Sequence, residues 1–224
     1  MAGNGTAARR ADWYFDFISP YAYLQFARLH ELPDDIALFL RPVLFAGLLN
    51  HWGQLGPAEI PLKRVHTGMV TRWRAEARGL PFRPPPRHPF NPLALLRLHL
   101  ALGATREAAA TIFEHVWAEG QDGEDSESLA RLAAKLGVGD LAALVGRPDA
   151  KVALRANGEA AIAAGVYGVP SLAVGGRVFW GDDMFDLALA WLAGRDGGIV
   201  EETVALAVRP AASERPRASG RSAS

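Results

Sequence analysis

The feature that most restricts the fold of this chain is an aromatic strand that ends abruptly in the start of a helix. The run Asp12-Trp13-Tyr14-Phe15-Asp16-Phe17-Ile18 alternates so that Trp13, Phe15 and Phe17 share one face of a strand. Ser19-Pro20 then supplies a helix N-cap and a proline at the first helical position, and a helix is expected over 21–30. A second strand fits 36–43, IALFLRPV. Two strands joined through a helix must pair in parallel, because the crossover brings the chain back in the same direction.

The middle of the chain has a different period. From about 45 to 165 the apolar spacing is helical and no convincing strand appears, with helices expected near 62–78, 92–102, 105–119, 126–136, 139–145 and 148–164. Residues 80–92 hold six of the fifteen prolines and read as a stiff connector suited to the wall of a pocket. Strands resume at 168–174 and 177–180, split by Gly175-Gly176 as in a tight hairpin. Gly181-Asp182-Asp183 opens a last helix over 183–193, closed by Gly194. The order β-α-β, helical block, β-β-α is that of an α/β thioredoxin-like fold with a large all-helical insertion. On this reading 12–45 and 166–208 form the thioredoxin-like domain in two parts and 46–165 the helical insertion domain. The small and polar ends, 1–11 and 209–224, are expected to be disordered.

Composition removes several classes of function. The 24 basic and 24 acidic side chains balance, so no global field favours nucleic acid or anionic lipid. With no cysteine the chain cannot form a disulfide, a Cys-x-x-Cys redox centre or a thiolate metal site. The six histidines are scattered without ligand spacing, and no metal is expected. No run approaches the roughly 18–20 apolar residues of a membrane span, and the N-terminus carries no signal-peptide pattern, so a cytoplasmic location is expected. Phosphate-cradling glycine motifs and hydrolase signatures are lacking, and Ser19 has no evident base for a triad.

What remains is a set of polar residues at turns. At Ser19 a hydroxyl and the free N–H groups of a first helical turn face one point, where a thiolate would be stabilised; the same residues also describe an ordinary N-cap. Val169-Pro170 precedes a strand, where a cis bond would turn a backbone N–H and C=O outward towards a peptide ligand. Asp182 and Asp183 are either helix caps or carboxylates placed to capture the ammonium of a small peptide. Asn50 and Lys63 flank the entry to the helical block, Lys63 reading equally as a solvated surface group. Arg87, His88 and Asn91 follow three prolines in a loop able to line a site. Tyr21, Tyr23, Trp52, Trp73 and Trp180 are candidates for an aromatic pocket or for plain core.

Taken in order, WYFDFISPYAYL (13–24), PAEIPLKR (57–64), PPPRHPFNPLALLR (84–97) and GVYGVPSLAVGGRVFWGDD (165–183) resemble the 2-hydroxychromene-2-carboxylate isomerase family. Its kin are the kappa-class glutathione transferases and the DsbA-type disulfide oxidoreductases. The resemblance implies that Ser19 stands where an oxidoreductase has cysteine, and that glutathione supplies the thiol as cofactor. It further implies that Ser19 holds the sulfur, that Val169 beside a cis-Pro170 pairs with the cysteinyl backbone, and that Asp182 and Asp183 hold the γ-glutamyl end. Asn50 and Lys63 match polar positions around the cleft, with Tyr21, Arg87, His88 and Asn91 left for the substrate. The implied reaction is cis–trans isomerisation of a small aromatic acid in naphthalene-type degradation, by a homodimer. A kappa-like transferase or peroxidase and a non-catalytic binding module are the alternatives. Many relatives carry arginine where this chain has Met184, so any arginine contact must come from elsewhere, Arg87 being one candidate.

Overall fold

The computed structural model describes residues 8–207. Strand β1 (Arg9–Phe15) pairs in parallel with β2 (Ile36–Pro42), from Arg9 opposite Ile36 to Phe15 opposite Pro42. Strand β3 (Ser171–Val174) lies antiparallel to β1, and β4 (Arg177–Trp180) antiparallel to β3, giving the sheet order β2-β1-β3-β4. The parallel opening and the closing hairpin are both as expected. Gly175 and Gly176 take φ of 57° and 73° in the hairpin turn, left-handed values that glycine adopts without a Cβ clash.

Several boundaries differ from expectation: the strand expected from 168 starts at Ser171, and the helix expected over 183–193 starts at Phe185, with Met184 rather than an aspartate at its N-cap. The first strand begins at Arg9, so residues 9–11, expected to be disordered, are sheet: Ala11 is fully buried between Leu38 and Val174. A run read as polar is held because two partner strands satisfy its backbone. That strand stops at Phe15, although Phe17 still joins the core. Helix α1 (Pro20–Phe26) is shorter than 21–30 and passes into a 3-10 turn at Leu29–Glu31. The remaining terminal residues, 1–7 and 208–224, lie outside the described part.

The insertion is helical throughout, as expected. It starts with an unforeseen helix, α2 (Phe45–Trp52), whose N-cap Leu44 offers no capping side chain, so no local signal marks its start. Helices α3 (Pro61–Ala77), α4 (Leu93–Ala101), α5 (Arg106–Phe113), α6 (Ser126–Lys135), α7 (Leu141–Gly146) and α8 (Pro148–Ala163) follow. The helix expected over 105–119 divides into α5 and a π-helical turn at Glu114–Ala118. After the hairpin come α9 (Phe185–Leu192) and a second unforeseen helix, α10 (Ile199–Ala207), which begins after the glycine pair 197–198.

Insertion and sheet share one core. Phe113, at the end of α5, is fully buried, its ring 4.7 Å from that of Phe17, 5.7 Å from Phe15 and 5.1 Å from Phe26. The helical block thus inserts an aromatic knob between β1 and α1. Phe113→Ala should cost about 3–5 kcal/mol, the usual figure for emptying a buried aromatic site. Thermal unfolding followed by both near- and far-ultraviolet circular dichroism should show one transition shifted as a whole. Two separated transitions would mean that sheet and insertion are stable independently.

Candidate functional site

The site forms where β1 stops. Asp16, fully buried, accepts the Ile18 N–H through Oδ1 (3.1 Å) and the Phe45 N–H through Oδ2 (2.9 Å). Its carbonyl accepts the Ser19 N–H at 3.1 Å. One residue therefore turns the chain out of β1 and caps α2, the helix that lacks a cap of its own. Two further bonds fix the same loop: Trp117 Nε1 donates to the Phe17 carbonyl (2.8 Å) and His88 Nε2 donates to the Ile18 carbonyl (2.9 Å). Burial lowers the pKa of His88, which favours the neutral ring.

Ser19 is the N-cap of α1 and keeps 7% exposure. Its Oγ accepts the Ala22 N–H at 3.2 Å and lies 3.5 Å from the Val169 carbonyl, the outer limit of a hydrogen bond. The hydroxyl proton is thus weakly engaged and open to a better acceptor. Among the described residues the Tyr21 N–H, next in the same turn, has no hydrogen-bond acceptor, nor has the Val169 N–H across the gap. The Val169–Pro170 bond is cis, and the Pro170 carbonyl accepts the Gly181 N–H at 2.8 Å. Ser19, Val169 and Pro170, 150 residues apart in the chain, therefore face one another.

The two aspartates separate. Asp182 is buried, with both carboxylate oxygens engaged: Arg74 Nη1 donates at 2.7 Å and Arg78 donates twice at 2.8 Å. It locks α3 to the loop before α9, and removing its partners would leave an uncompensated buried charge, a loss of roughly 3–5 kcal/mol. Asp183 is exposed; burial raises the pKa of the Tyr21 and Tyr167 hydroxyls, and the Asp183 charge adds to the rise in both. Gln25, fully buried in α1, completes the link: it accepts from Trp13 Nε1 at 2.6 Å and donates to the Gly181 carbonyl at 2.9 Å.

Of the remaining candidates, Asn50 and Lys63 are exposed on α2 and at the start of α3. Arg87 pairs with Asp122 (2.6 Å) and Glu124 (3.3 Å). Asn91 turns the same way, its N–H held by Glu124 and its Oδ1 by the Leu93 N–H. Tyr23 is buried and donates to the Pro81 carbonyl at 2.6 Å, while Trp73 projects into solvent from α3. Asp16, Gln25, Trp117 and the Arg74/Arg78 pair were not singled out from sequence. A lone aspartate inside an aromatic run, and arginines four apart on one helix, are the only signals they leave. Among the described residues no acidic or histidine cluster could hold a metal ion, and no helix is long and apolar enough to cross a membrane.

A family model described as a DSBA-like thioredoxin domain matches residues 10–192, which puts the chain in the DsbA-like thioredoxin class. It is 31% identical to the 2-hydroxychromene-2-carboxylate isomerase of Pseudomonas putida over 186 residues, 77% of this chain and 88% of that one. It is 26% identical to human glutathione S-transferase kappa 1, covering 74% of this chain and 81% of the relative. A solved 2-hydroxychromene-2-carboxylate isomerase superposes with a TM-score of 0.69 at 23% identity, over 88% of this chain and 98% of that one, which shows the shared fold. The chain belongs to the 2-hydroxychromene-2-carboxylate isomerase family. These relationships support an isomerase-like or kappa-transferase-like enzyme.

Burial pushes the Asp16 carboxyl up from 3.8 to about 7, against the opposing pull of its backbone N–H donors. A raised carboxyl means that between about pH 4 and 7 the folded chain holds a proton the unfolded chain has released. Its contribution to stability is therefore full below about pH 4 and is lost as the pH climbs to about 7. Asp16→Asn removes this dependence, so the wild-type Tm should fall relative to the variant's across that window. A Tm difference that stays constant with pH would contradict a protonated Asp16.

Proposed function

We propose that this chain is a glutathione-dependent cis–trans isomerase that converts 2-hydroxychromene-2-carboxylate, or a closely related aromatic acid, to trans-o-hydroxybenzylidenepyruvate. The observation that carries the reading is the meeting of a weakly engaged Ser19 hydroxyl with the backbone of Val169-Pro170, in a chain without cysteine. The donors and acceptors at this meeting point suit a thiol peptide, and the chain has no thiol of its own. The unpaired Val169 N–H and its carbonyl suit the antiparallel pairing of a cysteinyl backbone. The Ser19 hydroxyl and the Tyr21 N–H suit a sulfur anion. Asp183, exposed and with no cation paired to it among the described residues, suits the γ-glutamyl ammonium, whereas Asp182 is committed to Arg74 and Arg78.

Glutathione would supply a thiolate that adds reversibly to the conjugated double bond, leaves a single bond free to rotate, and is then eliminated unchanged. The protein's part is to hold that sulfur ionised. Ser19 Oγ donates to it in place of the distant Val169 carbonyl, while His88, Trp117 and Asp16 keep the loop from relaxing. Neither oxidation nor reduction is required, which fits a site where serine replaces the redox residue.

A homodimer is part of the proposal. Leu62, Val65, Met69 and Trp73 form an exposed apolar stripe at helical spacing along α3, a face that a second copy would cover. A cytoplasmic location is proposed with it, where a reduced thiol pool is available. The kappa-transferase relatives support a second reading, in which the same site consumes glutathione.

Turnover of the ring-opened cis acid should require glutathione, consume none of it, and fall about a hundredfold in Ser19→Ala, the loss typical of one hydrogen-bond donor to a developing anion. Accumulation of a glutathione conjugate or of oxidised glutathione would favour the transferase reading. Turnover that proceeds equally without glutathione would overturn the proposal.

A further inference from the structure

Three aromatic side chains gather on the few residues that precede Pro170. Trp180 leans on Gly168, so closely that a β-carbon there would come within 2.3 Å of the indole Nε1. Tyr167 stands beside it, ring centroids 5.1 Å apart and planes tilted by 55°. Trp52, from α2, donates its Nε1 to the Val166 carbonyl at 2.9 Å. None of the three is core: Trp52 and Trp180 are each 43% exposed and Tyr167 38%. The backbone they rest on, residues 166–168, runs straight into Val169, whose carbonyl faces Ser19. Consecutive Cα atoms are only about 3.8 Å apart, so the rings cover the stretch of backbone that leads directly into the Val169 carbonyl facing Ser19.

The packing has a purpose beyond filling space. Only glycine at 168 lets the indole settle against the backbone, and the position beside it is the one that presents Val169 to Ser19. Ring faces left in water are costly to hydrate and are recovered when a flat conjugated ligand stacks on them. Asp183 adds direction. Its negative charge lies close enough to Tyr167 to disfavour an organic acid that turns its carboxylate to that side.

We propose that Tyr167 and Trp180, edged by Trp52, form a stacking platform that selects ring-bearing conjugated acids over acyclic ones. The proposal rests on the isomerase reading for the identity of the reacting acid, but the platform can be tested without turnover. Calorimetric titration of the full chain with trans-cinnamate and with trans-crotonate compares a phenyl with a methyl group on the same unsaturated acid. Wild type should bind cinnamate at least tenfold more tightly, in keeping with the surface of one aromatic ring and a stacked pair. Trp180→Leu keeps an apolar cover on Gly168 but removes the flat face, and should erase most of that preference. Tyr167→Ser, a change at an exposed position, should reduce it independently. Glutathione affinity should stay within about twofold in both variants, since the Ser19 and Val169 groups are untouched. With the cis substrate the same variants should raise KM and leave kcat near its wild-type value. Equal binding of the two acids by wild type, or a preference that survives both substitutions, would overturn the platform. A cinnamate preference lost in Trp180→Leu in a protein without glutathione-dependent turnover would leave the platform standing and refute the isomerase reading instead.

Discussion

The arrangement depends on a carboxyl group placed where its charged form is costly. Asp16 sits at the end of an aromatic strand with no exposed surface, and its two oxygens take backbone N–H groups from different elements, Ile18 in the loop and Phe45 at the start of α2. Burying an unpaired polar group would cost several kcal/mol, so this position is viable only because the backbone supplies donors that otherwise lack acceptors. In return the β1–α1 turn is held from inside. Ser19 inherits its orientation from that turn, and from it the 3.5 Å approach to Val169.

The same logic extends outward to the insertion. Phe113 drives a helix end into the sheet's aromatic face, Trp117 from the adjoining π turn binds the Phe17 carbonyl, and His88 from the proline-rich connector binds the next carbonyl along. On the far side, Arg74 and Arg78 clamp Asp182 and so tie α3 to the loop after β4. The helical block therefore does more than enlarge a thioredoxin core. It contributes the side chains that fix the backbone around Ser19 and one of the aromatic rings on the rim beyond it.

Much of this was legible in the sequence, for local reasons. Ser19-Pro20 after an aromatic run, Gly175-Gly176 between two short strands, and the 3.6-residue spacing of α3 to α8 each state a conformation within a few residues. Of the two missed helices, α2 lacks such a statement: it starts without a capping side chain of its own because Asp16, 29 residues before Phe45, does that work, whereas α10 carries a local cap in Asp196, which accepts the Val200 N–H. Among site residues, Ser19, Val169 and Pro170 meet as the pattern suggested, because strand order in this fold brings the two turns together. Arg87 and Asn91 could not be placed from sequence, since their direction is decided by Asp122 and Glu124 in a distant turn. Nor does adjacency in sequence tell Asp182 from Asp183: one is buried under two arginines and the other faces solvent.

The central claim is that Ser19, held by this framework, stabilises the sulfur anion of an external thiol rather than acting as a nucleophile. The most direct measurement is the pKa of glutathione in complex with the protein, followed by the ultraviolet absorbance of its thiolate as pH is varied. A cysteine-free chain contributes no thiol signal of its own. The account predicts that the bound thiol ionises well below the value of about 8.5 typical of a free cysteine side chain, and that Ser19→Ala returns it most of the way there. A bound thiol that titrates like the free one in the wild-type protein would contradict it.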